Sequence, residues 1–333
     1  MVTMSDIAQR TGVTVTTVSN ALTDRGRVSD ATRSRILAVA TELGYEVNLT
    51  ARHLRMGRSD TIALIVPSVH DYFGEIADKL AVLAEATGRH LVLERTSALT
   101  ESERAAITFQ RLQMFDGVLL SAVGLDHDDV ERARRRTPLV VLGERPMPAT
   151  VDHVRLANEE GGRLATAHLL EHGARRVVVL GGSLSAEFGI SHSRLVGWRQ
   201  AHDDAGVPAD PRLVVPVQDY DVRHARAALT ALIADGVPFD AVFGVTDMIA
   251  LGAMSALAEH GLRVPQDVQV VGFDNLLFSD FLVPRLTSVD PHSRELAATA
   301  MRLLEQRMSG ADAAPEHVVN PVSLVVRGST RAG

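Results

Sequence analysis

Residues 6–22 read DIAQRTGVTVTTVSNAL, and this stretch decides what kind of molecule the chain is. The segment MSDIAQR (4–10) predicts a short helix with Ser5 as its N-cap and Ile7 and Ala8 turned inward. Gly12 breaks it. Thr14 then caps a second helix, in which Val15, Val18 and Leu22 fall at helical spacing. Two short helices joined by a tight glycine turn make a helix-turn-helix. Ser29 caps a third helix over 30–43, which Gly44 stops. Its Ile36, Leu37, Ala40 and Leu43 are expected to complete a miniature core that all three helices share.

The chain has 333 residues, 46% of them hydrophobic and 23% charged, which is ordinary globular composition and enough for two or three compact units. Cysteine is absent, so no disulfide framework and no thiolate metal site can form. The opening residues lack a basic start followed by an apolar stretch, and no apolar run approaches the roughly 20 residues that span a bilayer. A cytoplasmic protein is expected. The net charge of −7 argues by itself against nucleic acid, but the charge is unevenly spread. Residues 1–59 hold eight arginines against five carboxylates, which leaves +3 there and −10 on the rest. A basic head on an acidic body suits a DNA-binding module joined to a separate sensor.

Beyond residue 60, apolar runs alternate with helical segments. TIALIVPS, RHLVLERTS, DGVLLSAV and PLVVLGER are strand-like; RRVVVLGG, RLVVPVQD, DAVFGVTD and VQVVGFD form a second set. Amphipathic helices are expected at 158–172, 191–205, 222–235, 247–260 and 293–308. Apolar strands alternating with helices mean parallel sheets covered on both faces, and two sets mean two lobes. Ligands of such sheets sit beyond the carboxyl ends of the strands.

Taken in order, DIAQRTGVTVTTVSNAL, VSDATRSRILAVATELGYEVN and TARHLRMGRS resemble the LacI family of bacterial transcriptional regulators. The resemblance continues through HLLEHGARRVVVLGG, SRLVGWRQAHDDAGV, FGVTDMIALGAMSALAEHGLRVPQDVQVVGFDN and PRLTSVD. It implies an N-terminal three-helix helix-turn-helix domain and an α/β two-lobed domain like the periplasmic binding proteins, with parallel sheets. The expected boundaries are 1–47 for the head, 48–59 for a hinge helix and linker, and 60–333 for effector binding. One lobe takes 60–156 and 288–318, the other 157–287 and 319–333, with crossings near 156–158, 284–291 and 316–322.

The resemblance also assigns roles. Val15, Thr16 and Asn20 match positions that read base edges; Asn pairs with adenine, while Val and Thr meet a thymine methyl. For Val15 a place in the miniature core is the competing reading. Thr17, Ser19, Arg33 and Asn48 match phosphate contacts, which fix register and not sequence. Residues 48–56 resemble the family's hinge helix, in which Leu54 would wedge into the minor groove and Arg52 and Arg55 would add backbone attraction. The bland alternative is an amphipathic linker with Leu54 packed on the body.

For the effector, Arg194, Asp247 and Asp274 match cleft positions, Phe73 and Tyr220 match aromatic platforms, and Asp71, Tyr72, Ser121 and Glu144 lie at or beside the cleft lining. Each has a plainer reading: Arg194 paired inside its lobe, Asp247 capping helix 248–260, Asp274 closing its loop, Tyr72 in the core. Trp198 is expected in the core and not as a sugar platform. Thr246 and Pro291 stand where some relatives carry amides, so no particular sugar carries over. A sugar or sugar derivative is favoured, and a nucleobase-like ligand is the alternative because DYFGEI resembles purine-sensing relatives.

Other functions fit less well. No Gly-x-Ser-x-Gly elbow, no HExxH and no GxGxxG after the first strand is present, so no catalytic residue, metal or cofactor is expected. A ligand carrier without a DNA role is opposed by the head. The expectation is a homodimeric repressor on a pseudo-palindromic operator, with activation or corepressor dependence as the alternative sign of control. A chain that ends soon after its last strand, without a leucine-heptad tail, favours dimer over tetramer.

Overall fold

The computed structural model describes residues 2–22, 26, 28–45, 59–69, 71–184 and 188–331. The chain divides into two compact units, Met1–Ser59 and Asp60–Gly333.

In the first unit the helices are α1 (Met4–Thr11), α2 (Val15–Leu22) and α3 (Asp30–Glu42). The cap of α1 is Thr3, not Ser5. Thr3 Oγ1 accepts from the Asp6 amide at 3.4 Å, and the Asp6 carboxylate accepts from the Thr3 amide at 2.8 Å. This reciprocal pair satisfies two donors that a cap at Ser5 would leave open, so the helix begins at Met4, directly after Thr3. Gly12 ends α1 at φ +70°, a left-handed conformation that glycine adopts without strain. Thr14 and Ser29 cap α2 and α3 through the amides of Thr17 and Thr32. The core is Ile7, Ala8, Val18, Ala21, Ile36 and Ala40. Leu37 and Val15 are not in it: they are 45% and 41% exposed. Ile36 and Ala40, four apart on α3, already fill the inward stripe, and Leu37 falls a residue's rotation away from it.

The second unit holds two six-stranded sheets. The first lobe contains β1 (Thr61–Val66), β2 (His90–Arg95), β3 (Gly117–Ser121), β4 (Leu139–Leu142) and β5 (Asp152–Leu156), with α4 (Asp71–Ala86), α5 (Thr100–Ala106), α6 (Phe109–Leu112) and α7 (His127–Arg134). The second contains α8 (Asn158–Glu171), β6 (Val177–Leu180), α9 (Ile190–Asp204), β7 (Val214–Val215), α10 (Val222–Ala234), β8 (Ala241–Gly244), α11 (Asp247–Glu259), β9 (Gln269–Phe273) and β10 (Thr287–Asp290). The chain then returns to the first lobe with α12 (Ser293–Met308) and β11 (His317–Asn320), and closes in the second with β12 (Ser323–Val325). The strand orders are β11-β5-β4-β3-β1-β2 and β12-β10-β9-β8-β6-β7. All pairings are parallel except β10 with β12.

Two expected boundaries shift. Residues 288–290 belong to β10 in the second sheet, and 319–320 belong to β11 in the first. The strands run their full paired length before the chain crosses. The crossings are stitched together by Asn320, which is 3% exposed. Its carbonyl accepts from the Ala157 amide at 3.0 Å, and its side-chain amide donates to the Pro291 carbonyl at 2.7 Å.

Trp198 lies in the second lobe's core, 1% exposed, with its indole N–H donating to the Val177 carbonyl at 3.0 Å. Beside it, Gly197 lets α9 press onto α8. A Cβ there would overlap the Glu159 carbonyl and stand 2.6 Å from the Arg163 amide nitrogen, both backbone atoms that cannot move aside. Gly197→Ala should therefore cost about 1–3 kcal/mol or more. Urea unfolding followed by the fluorescence of Trp198, the chain's single tryptophan, checks this. A wild-type midpoint would contradict the close approach of the two helices.

Candidate functional site

The head presents α2. Val18 and Ala21 point inward, which leaves Val15 and Thr16 exposed and Thr17, Ser19 and Asn20 half-exposed along the outer face. The three expected base-reading residues thus share one accessible strip, and Val15 is not a core residue. Thr17 is tied to Thr14 by a hydroxyl pair at 2.9 Å. Arg33 is half-buried on α3. Asn48, Arg52, Leu54 and Arg55 lie outside the described residues.

The second unit builds its site at the carboxyl ends of the strands, around Arg194. Strand β8 delivers the Val245 carbonyl, β9 delivers Phe273 and Asp274, and the β5-to-α8 crossing delivers Asn158. Arg194, from the second turn of α9, is only 2% exposed. Its Nε donates to Asn158 Oδ1 at 2.7 Å, Nη1 donates to the Val245 carbonyl, and Nη2 stands 3.7 Å from Asp274 Oδ1. The guanidinium carbon lies 3.3 Å from the centre of the Phe273 ring. Burial lowers the guanidinium's pKa, opposed by the negative charges of Asp274 and Glu144.

The first lobe supplies the facing groups. Tyr72, on α4, lies within the field of Asp274, Arg194 and Glu144; burial pushes its hydroxyl well above the ordinary tyrosine range. Its ring meets Phe73 edge-on, with centres 5.3 Å apart. Glu144 follows β4 and accepts from the Leu156 amide at 3.1 Å; burial raises its pKa. Burial also holds Asp274 well above the usual carboxylate range, with Arg194 pulling it down and Asp247, Asp71 and Glu75 pushing it up. Asp71 opens α4 and is exposed. Tyr220 is 37% exposed in the turn before α10 and acts on the charge of Arg194. Ser121 is buried at the end of β3.

Asp247 departs from its expected role. It is fully buried, and its carboxylate accepts from the Leu276 amide at 2.8 Å, Ser279 Oγ at 2.7 Å and Ser288 Oγ at 2.6 Å. These bonds secure the 276–288 segment behind the cleft. Nor is it the cap of α11, a task that Thr246 performs through the Ile249 amide at 3.2 Å. Three members of the site escape the sequence reading: Asn158, Phe273 and Glu75. Glu75 Oε1 accepts from the Leu277 amide at 3.3 Å, a direct bond between the lobes. The stretch VVGFDN contains Phe273, but nothing in its spacing marks the ring as a guanidinium platform.

Comparison with known proteins agrees with this geometry. Residues 3–48 match the bacterial regulatory proteins of the lacI family, and residues 166–330 match the periplasmic binding protein-like domain. The HTH-type transcriptional repressor CytR of Escherichia coli strain K12 is 32% identical over 332 residues, covering 99% of this chain and 96% of the relative. The chain belongs to the LacI family. Among solved structures, the lac repressor dimer bound to operator and the anti-inducer ONPF has a TM-score of 0.83 at 26% identity, over 99% of both chains. The complex of the transcriptional regulator CelR with cellobiose has a TM-score of 0.72 at 30% identity, over 99% of this chain and 100% of that one. As a LacI-family member the chain is a sequence-specific DNA-binding regulator of transcription responsive to a small molecule. Among the described residues no helix is long and apolar enough to cross a membrane.

Burial raises the Asp247 pKa from 3.8 to about 6, with its three hydrogen bonds opposing the rise. The folded protein thus holds this proton more tightly than the unfolded chain. Its stabilising contribution is complete below pH about 4 and is lost as pH rises to about 6, a loss of a few kcal/mol at most. Asp247→Asn should flatten the stability profile of the full chain over that window, measured by urea midpoints at intervals of half a pH unit. An unchanged slope would show that this carboxyl does not titrate there.

Proposed function

We propose that the chain is a homodimeric cytoplasmic repressor, without catalytic activity of its own, that binds a pseudo-palindromic operator. A small hydroxylated effector held between the lobes sets its affinity for DNA. One observation carries the reading: the helix-turn-helix is complete and its second helix turns Val15, Thr16 and Asn20 outward together, while the sensor unit keeps an arginine, two carboxylates and aromatic rings where its lobes meet.

In this reading Val15, Thr16 and Asn20 read bases, and Thr17, Ser19 and Arg33 hold phosphates. Resemblance to the family adds Asn48, Arg52, Leu54 and Arg55, with Leu54 as a minor-groove wedge. Residues 1–47, 48–59 and 60–333 act as head, hinge and sensor. The effector contacts are Arg194 and Asp274 from the second lobe and Glu144 and Tyr72 from the first, with Asp71, Phe73, Ser121 and Tyr220 around them. Two lobe arrangements differ in operator affinity, and the effector shifts their balance only as far as its affinities for them differ. A two-fold dimer on two half-sites accounts for the pseudo-palindrome.

Fluorescence anisotropy with DNA from upstream of the protein's own gene tests the reading. Wild type should bind specifically and with a steep salt dependence. Asn20→Ala should lose about 1–3 kcal/mol of specific affinity while keeping non-specific binding, and Leu54→Ala should weaken the specific complex. Binding indifferent to Asn20 would remove α2 from the major groove.

A further inference from the structure

We propose that Gly26 is a specificity-determining residue of the head: because it lacks a side chain, it leaves the Asn20 amide in the position from which it reads a base. This rests on the reading of α2 as the base-reading helix.

An asparagine reads adenine through both ends of its amide at once, and each hydrogen bond tolerates a shift of only a few tenths of an ångström. Asn20 is half-exposed near the end of α2, and among the described residues no hydrogen bond fixes its amide. Its aim is left to the atoms packed beside it. Gly26, in the connection between α2 and α3, supplies some of them. A Cβ on Gly26 would stand 3.0 Å from Asn20 Nδ2, 3.3 Å from its Cγ and 3.8 Å from its Cβ. The first two distances are shorter than the roughly 3.5–4.0 Å of comfortable contact. The three atoms nearest that position all belong to Asn20, so any side chain at 26 meets the amide first.

The backbone at this position favours glycine too, since its φ is +71°. Two other glycines of the head separate the two effects. Gly12 and Gly44 stand at φ +70° and +64°, and a Cβ on either would have nothing within 4 Å. There the glycine serves the turn alone; at Gly26 it serves the turn and the amide. The way the clash is relieved decides what is lost. Asn20 is a flexible, half-exposed side chain, so it swings aside and the fold is kept. The same swing breaks the paired geometry that adenine requires, and the loss falls on base recognition.

The test selects preferred sites from a random duplex pool with the full-length protein, as wild type, Asn20→Ala, Gly26→Ala, Gly12→Ala and Gly26→Ala combined with Asn20→Ala, each checked for folding by thermal unfolding. Asn20→Ala should flatten the preference at the base pair it reads and leave the other positions. Gly26→Ala should weaken the preference at that same base pair by about fivefold or more, the lower end of what one paired contact discriminates, and spare the rest. Gly12→Ala carries the same backbone strain and should keep every preference. In the Asn20→Ala background, Gly26→Ala should change no preference further. Gly26→Asn, whose residue type tolerates the left-handed backbone, should act as Gly26→Ala does and serves where the alanine variant fails to fold. A wild-type profile in the Gly26 variants, or one weakened evenly at all positions, would overturn the role of Gly26 and leave α2 as the reader. A wild-type profile in Asn20→Ala would remove Asn20 as a reader, and the role of Gly26 with it. A wild type that selects no site would remove the regulator reading and this role together.

Discussion

Arg194 is a buried cation, and a buried cation dictates its surroundings. Removing a guanidinium from water costs several kcal/mol unless charge and hydrogen bonds are returned to it. Here the return comes from four places: Asn158 at the start of α8, the Val245 carbonyl after β8, Asp274 after β9, and the face of Phe273 at the end of β9. Two strand ends and one helix start are thereby fixed relative to α9. The carboxyl ends of the second sheet are thereby fixed by the lobe's own side chains, and groups fixed in advance cost a ligand less to engage. Asp247 does the same work one layer down, where its carboxylate gathers Leu276, Ser279 and Ser288.

Preorganisation within a lobe has to be joined to freedom between lobes. The three crossings converge on Asn320, whose backbone and side chain hold the first and second crossings together. Rotation there leaves each sheet intact, because the strands on either side belong to one sheet or the other and none is shared. Across the cleft, the bond from the Leu277 amide to Glu75 joins the lobes directly, and Glu75 is also 3.3 Å from Lys79. In the proposed reading, a ligand held between the lobes adds to this joint, and its effect on DNA follows from the difference in its affinity for the two arrangements.

Much of this was legible in the residues. The strands of the sensor's core are unbroken Val, Leu and Ile runs, and helices such as 158–171, 222–234 and 293–308 lie within a residue of their expected ends. Strand β5 escaped because DHVRL looks polar. Asp152 and His153 are buried there, Asp152 held by Arg307 and the Glu316 amide, partners more than 150 residues away. The last crossing was expected near 316–322, and the chain does pass from β11 in one sheet to β12 in the other there, at Pro321. In the site, charged residues at strand ends announced themselves. What they do was not readable for Asp247, whose three donors lie 29 to 41 residues downstream. Asn158 and Phe273 act only by holding Arg194, a role that exists only after the lobe has folded. At the head, Thr3 took the cap from Ser5 because the returning bond from Asp6 depends on side-chain geometry.

The central claim is that the cleft built on Arg194 controls the grip of the head on DNA. The most direct measurement is operator affinity, by anisotropy, for wild type and Arg194→Lys across a panel of neutral sugars such as glucose, galactose and cellobiose. Lysine keeps the charge but cannot reproduce the planar fork that reaches Asn158, Val245 and Asp274 at once. A sugar that changes wild-type operator affinity by about tenfold, the scale of a typical coupling energy, should leave the variant unmoved. A variant that responds as wild type does, or a sugar that fills the cleft without changing operator affinity, would contradict the account.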